Sequence, residues 1–180
     1  MINSIHYIIH VKPYVILMLS LSILGNIGVL VLLYTQLFLD KFGVSLAFFG
    51  FVYASAAIAQ GIGAKVGAFI ETYLKPKFFT VIMLWCFTLS LLLISFSSSL
   101  ASFLVTLHIF TFVSGLFSPV FADYQNRFVP SFNRATIVSF SSIVHSTMFF
   151  FMAIPLGLVT QFFGLNVGLI ATAGITALAI

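Results

Sequence analysis

Apolar residues fill four long stretches of the chain, and a few short clusters of charge separate them. Residues 13–39, 42–64, 78–122 and 135–180 contain no Asp, Glu, Lys or Arg. A bilayer core of about 30 Å is crossed by roughly 20 apolar helical residues, so each of the first two stretches predicts one span. As a single helix, residues 78–122 would reach about 68 Å at 1.5 Å per residue, more than twice that core. The two longer stretches must each fold back once. Local breaks in hydrophobicity place the first reversal at Ser97-Ser98-Ser99 and the second at Phe163-Gly164-Leu165-Asn166. The pattern predicts an all-α integral membrane domain over residues 1–180, with six transmembrane helices near 13–38, 45–70, 78–96, 100–121, 135–160 and 165–180. Nothing alternates with period two, so a membrane β-barrel is excluded.

Composition agrees with the pattern. Of 180 residues, 62% are hydrophobic and 6% charged, and the mean hydropathy is +1.25. Soluble domains carry about 25% charged residues, so this chain cannot coat a water-facing globule. A soluble enzyme, a nucleic-acid reader and a disordered tail are excluded on that ground. The single cysteine, Cys86, lies inside an apolar run, which leaves no disulfide framework and no metal cluster, and no cofactor is expected. The first segment is not a secretory signal: its basic residue, Lys12, comes late, its apolar stretch is long, and no small-residue cleavage site follows. Neither a lipidation signature nor an N-x-[ST] sequon is present.

Where the charges fall sets the expected orientation in the cell membrane. With a cytoplasmic N-terminus, Lys12, Lys65, Lys75, Lys77, Arg127 and Arg134 lie inside, and only Lys41, beside Asp40, lies outside. That is a strong positive-inside bias, and it places both termini in the cytoplasm. Tyr14, Tyr34, Tyr73 and Tyr124 fall near the expected interfaces, whereas Trp85 does not.

The chain also echoes itself. Gly67, Glu71 and Tyr73 close the second span, and Gly157, Gln161 and Phe163 close the fifth at the same offsets. An odd number of spans separates the two segments, so they lie on opposite sides of the membrane, as a 3+3 inverted repeat predicts. The expected repeat halves are about 1–96 and 97–180.

Two loops resemble those of a known family. The run from Gly67 through Glu71, Lys75, Pro76 and Lys77 resembles the G-x-x-x-D-R-x-G-R-R/K loop motif of the major facilitator superfamily. Gly67 stands at the glycine position, Glu71 at the acid, and Lys75 and Lys77 at basic positions. Thr72 replaces a basic residue, Leu74 the second glycine, and Pro76 interrupts the basic pair. A second run, Asn126, Arg127, Pro130, Arg134, Ala135 and Thr136, then a serine-rich span ending at Pro155 and Gly157, is similar to the loop and eleventh span of many facilitators. The resemblance implies that the whole chain is a facilitator-like lobe corresponding to spans 7–12 of a twelve-span permease, with spans 1–6 absent. It also implies loop or gating roles for these residues, and a separate or missing N-terminal six-span half as partner.

Polar residues inside spans are where a transport path shows. Those expected to border a substrate cavity are Asn26, Gln36, His108, Ser139, Ser142 and His145. Asn26 sits between Gly25 and Gly28, where small neighbours leave room, and Ser139, Ser142 and His145 share a helical face. Gln60, beside Gly61 and Gly63, reads instead as packing, as does the small face formed by Ala59, Gly63 and Gly67. No acid or base lies at mid-span, so the two histidines are the interior groups able to take up a proton.

The leading expectation is a transporter lobe in contact with membrane lipid, working by alternating access on a small, weakly polar solute. The Phe-rich spans and Met148 and Met152 favour an efflux-type substrate. A six-span substrate-capture subunit of an energy-coupling transporter and an inactive truncated product are the alternatives. An enzyme is not expected: G-x-S-G is missing, and the three acids sit in separate loops.

Overall fold

The computed structural model describes residues 12–73, 76–127 and 134–178 and consists of helices joined by short turns. In order these are α1 (Lys12–Lys41), α2 (Leu46–Glu71), α3 (Pro76–Ser95), α4 (Leu100–Arg127), α5 (Arg134–Phe163) and α6 (Leu165–Leu178). Four of them, α1, α2, α4 and α5, are long and apolar enough to cross a membrane. The apolar parts of α3 and α6 are shorter, Val81–Ser95 and Leu165–Ala177. The helices match the six segments expected from the sequence in number and order, and α4 runs on to Arg127, past the expected end near residue 121.

Both predicted reversals fall where the hydrophobic pattern breaks, and local chemistry explains each. Ser99 caps α4: its Oγ accepts from the Ser102 N–H at 3.2 Å while Ser102 Oγ accepts from the Ser99 N–H at 3.1 Å. That reciprocal arrangement satisfies two donors that a helix N-terminus otherwise leaves open. After α5, Gly164 takes φ +92°, and its N–H closes on the Thr160 carbonyl. This is a left-handed cap that a side chain would strain. α6 then starts at once, and the Asn166 amide donates to the Ser95 carbonyl at 2.7 Å, holding the start of α6 against the end of α3.

Burial separates the helices into two kinds. α1 and α4 bury far more of their surface than α2 and α5. α2 packs on α4, α5 packs on α1, and α3 and α6 pack against each other and against the central pair. The core is aromatic: Phe38 stacks on Phe103 at 4.8 Å, and Phe87 meets Phe110 at 5.0 Å and Phe117 at 5.4 Å. Such ring pairs add to the energy of burial alone.

The α2–α4 contact is the tightest. The backbones of Gly63 and Gly67 lie against the carbonyls of Phe112 and Leu116, and Gly115 lies against the carbonyl of Gln60, so a Cβ at any of the three would overlap backbone. Small residues let two helices come this close, and between apolar helices that contact is a main source of attraction. The packing role read for Gly63 and Gly67 from the sequence is what the structure shows.

Candidate functional site

The site is built on α1 and α4. On α4, Thr111, Ser114 and Ser118 recur at helical spacing and share a face. Phe110, Phe117 and Phe121 form the adjoining stripe. On α1, Gly25 and Gly28 carry no side chain to fill the space opposite. The result is a cavity of about 390 Å³, walled by Leu21, Leu24, Val29 and Leu32 of α1, Phe87 of α3 and the two stripes of α4. Gln60 of α2 completes the lining.

None of the residues that line this cavity is charged. One amide and three hydroxyls stand on an otherwise hydrocarbon and aromatic wall. Pockets that hold small molecules have this make-up, with much apolar area for affinity and a few polar groups for orientation. The wall suits a neutral solute with an apolar body and one or two hydrogen-bonding groups.

Asn26 is adjacent but turned away. It is 1% exposed, and its Nδ2 donates to the backbone carbonyl of His145 at 3.0 Å. Its Oδ1 has no hydrogen-bond partner. The His145 ring packs on Gly25, where an added Cβ would meet its Cε1 at 3.0 Å. Asn26 and His145 are thus brought together, and through Gly25 they stand directly behind the cavity wall.

The other expected cavity residues are dispersed. Gln36 is exposed near the far end of α1, where its side chain reaches the Tyr53 hydroxyl. That hydroxyl donates to the Leu32 carbonyl at 2.9 Å. His108 is half-buried between α4 and α2, with Nδ1 2.7 Å from the Leu104 carbonyl and Nε2 2.9 Å from Ser55 Oγ. Ser139 and Ser142 lie on the exposed face of α5, and Ser142 Oγ donates to its own helix at the Val138 carbonyl. The serine that enters the bundle is Ser141, whose Oγ is 2.8 Å from Tyr14 Oη.

Of the loop-motif residues, Gly67 is buried against α4 and Glu71 is half-buried at the end of α2. Lys75 and Pro130 lie outside the described residues. Lys77, Asn126, Arg127 and Arg134 fall at helix ends, and their side chains are likewise outside the description.

Sequence reasoning missed Gln60, Thr111, Ser114 and Ser118 as cavity residues. For the three on α4 the signal was present, a hydroxyl at every turn of one face. Gln60 gives no such signal, because its backbone packs on Gly115 while its side chain lines the cavity. Among the described residues, no group of three or more His, Cys, Asp or Glu is placed to hold a metal ion.

No protein-family model, curated protein sequence or solved structure matches this chain.

Proposed function

We propose that the chain is a six-span membrane lobe of a solute transporter of the major-facilitator type, and that the cavity between α1 and α4 is its share of the solute path. The observation that carries the reading is that cavity: three hydroxyls of α4 and the Gln60 amide of α2 border an open cleft, with Gln60 and Ser118 exposed, in a bundle whose composition suits lipid. In an apolar bundle, polar side chains that line a space rather than pair across helices mark a path for a polar or amphipathic molecule.

The packing adds support. Exchanging α1 with α4, α2 with α5 and α3 with α6 turns the α2–α4 contact into α5–α1 and the α3–α4 contact into α6–α1, and all four contacts are present. An inverted repeat of three helices has this symmetry in these four contacts, while the α5–α6 contact has no comparable α2–α3 counterpart among the described residues. The exposed faces of α2 and α5, rich in small residues and in Ser139, Ser142 and Ser146, are where a second lobe would rock against this one. In this reading α3 and α6 also reach across the bilayer of the cell membrane, with both termini cytoplasmic.

The test is co-expression with a matched six-span partner half in vesicles. Flux of a neutral, largely apolar solute that requires both chains supports the reading. A lobe that is fully active alone, or that copurifies with one tightly held ligand per chain, favours a capture subunit instead.

A further inference from the structure

The pair His108 and Ser55 joins α4 to α2 by chemistry that packing does not require. The Leu104 carbonyl can only accept, so the ring nitrogen 2.7 Å from it, Nδ1, carries a hydrogen. Ser55 Oγ donates to the Val52 carbonyl at 2.9 Å and lies 2.9 Å from His108 Nε2. A hydroxyl has one hydrogen to give. While Ser55 gives it to Val52, Nε2 must be the donor, and the ring then holds two protons, each with an acceptor. When the ring holds one proton, rotation of the Ser55 hydroxyl from Val52 to Nε2 satisfies it again.

We propose that His108 and Ser55 form a proton-binding site in the α2–α4 interface, in which rotation of one hydroxyl accommodates both protonation states of the ring. The step is one proton transfer: an O–H bond of a hydronium ion breaks as the ring N–H forms, and a water molecule is released. The site stands on its own hydrogen-bond geometry; only its use, coupling a proton to solute movement, rests on the transport reading.

Among the described residues, the charged groups of the packed helices stand well away from this pair along their helices. On α2, Tyr53 is the nearest titratable group along the helix to Ser55, and its hydroxyl is given to Leu32 on α1. Lys65 stands about 15 Å further along α2 at 1.5 Å per residue, and Glu71 lies beyond it. On α1, Lys12, Asp40 and Lys41 are at the helix ends, and the Tyr14 and Tyr34 hydroxyls meet Ser141 and Thr160 on α5. On α3, Cys86 packs against the core, and Lys77 is in the first turn. Asp123 is near the far end of α4. The His108 ring borders a shallow groove with Leu104, Val105, Ile109 and Phe112, which leaves one edge open at the bundle surface.

The experiment is nitrogen-15 NMR of the full chain, labelled at histidine, in lipid nanodiscs from about pH 9 to about pH 5, the range that spans histidine titration. His108→Gln assigns the signal. The expected result is a neutral ring in the Nδ1–H form that becomes doubly protonated at acid pH. In Ser55→Ala, the Nε2–H of the doubly protonated ring should exchange with solvent at least about tenfold faster, because its acceptor is gone. A neutral ring in the Nε2–H form, a single protonation state throughout, or unchanged exchange in Ser55→Ala overturns the proposal. The first two results are read in the unaltered chain, so they do not depend on a variant folding. Absence of flux with any partner half would sink the transport reading and leave these spectra as they are.

Discussion

The Asn26 side chain of α1 donates its hydrogen bond to the backbone carbonyl of His145 on α5, 3.0 Å away. The same asparagine buries an Oδ1 that has no partner. The pair holds the two helices at the level where the His145 ring lies on Gly25, and Gly25 is also part of the cavity wall. α5 is therefore held directly behind that wall.

An asparagine with one bond made and one acceptor unsatisfied contributes little net stability, since the orphan acceptor offsets the bond. Asn26→Leu, which removes both at similar volume, should change thermal stability in detergent by less than about 1 kcal/mol. Asn26→Ala leaves a void as well and should cost about 2 kcal/mol or more. Equal losses in the two variants would mean that the hydrogen bond dominates.

The glycines of the α2–α4 contact make a sharper contrast. Gly63→Ala and Gly115→Ala put a methyl group into opposing backbone and should each destabilise the bundle by about 1–3 kcal/mol. Gly61→Ala faces open space, and a helical alanine should be neutral or stabilising by about 0.5–1 kcal/mol. Unfolding by heat or by denaturing detergent, monitored by circular dichroism, checks all three.

Tyr34 ties the other end of α1 to α5, its Oη 2.8 Å from Thr160 Oγ1 and 3.4 Å from the Leu156 carbonyl. Tyr34→Phe keeps the ring and loses the hydroxyl. Interhelical hydrogen bonds inside membranes average about 0.6 kcal/mol, so the loss should stay below about 2 kcal/mol. A double-mutant cycle with Thr160→Val measures how much of it belongs to this pair.

The count and order of helices were legible because the physics behind them is local. Charge-free runs have lengths set by a helix, and the serines at 97–99 and the Gly164 turn mark where a helix cannot continue. Which polar residues share a space was not legible, because that depends on how six helices are rotated about their axes. Ser139 and Ser142 share a face with His145 by spacing, yet they stand on the exposed side of α5, and Ser141 faces inward. Gln60 sits among glycines, so it reads as packing, but small neighbours also leave a side chain free to reach a cavity. His108 could be recognised as polar and interior, but its partner, Ser55, lies on another helix and could not be found along the chain.

If the cavity carries solute, filling it should stop movement without unfolding the lobe. Ser114→Trp places a large ring in the space between α1 and α4, and flux with a matched partner half should fall at least about tenfold, as expected when the solute loses its site. Leu93→Trp on the exposed apolar surface of α3 provides a comparison outside both the lining and the faces of α2 and α5. Thermal stability of both variants, measured in parallel, separates blockage from misfolding.

The most direct measurement is thiol labelling of the chain in lipid vesicles with a charged, membrane-impermeant reagent. Cys86 is the one native cysteine, so a Cys86→Ser background allows single cysteines to be placed at will. Cysteine at position 114, in the cavity, should react, and a transported neutral solute should slow the reaction. Cysteine at position 93, on the exposed apolar surface of α3, should stay unlabelled until detergent removes the lipid. Labelling at 93 and protection at 114 regardless of solute would contradict the account.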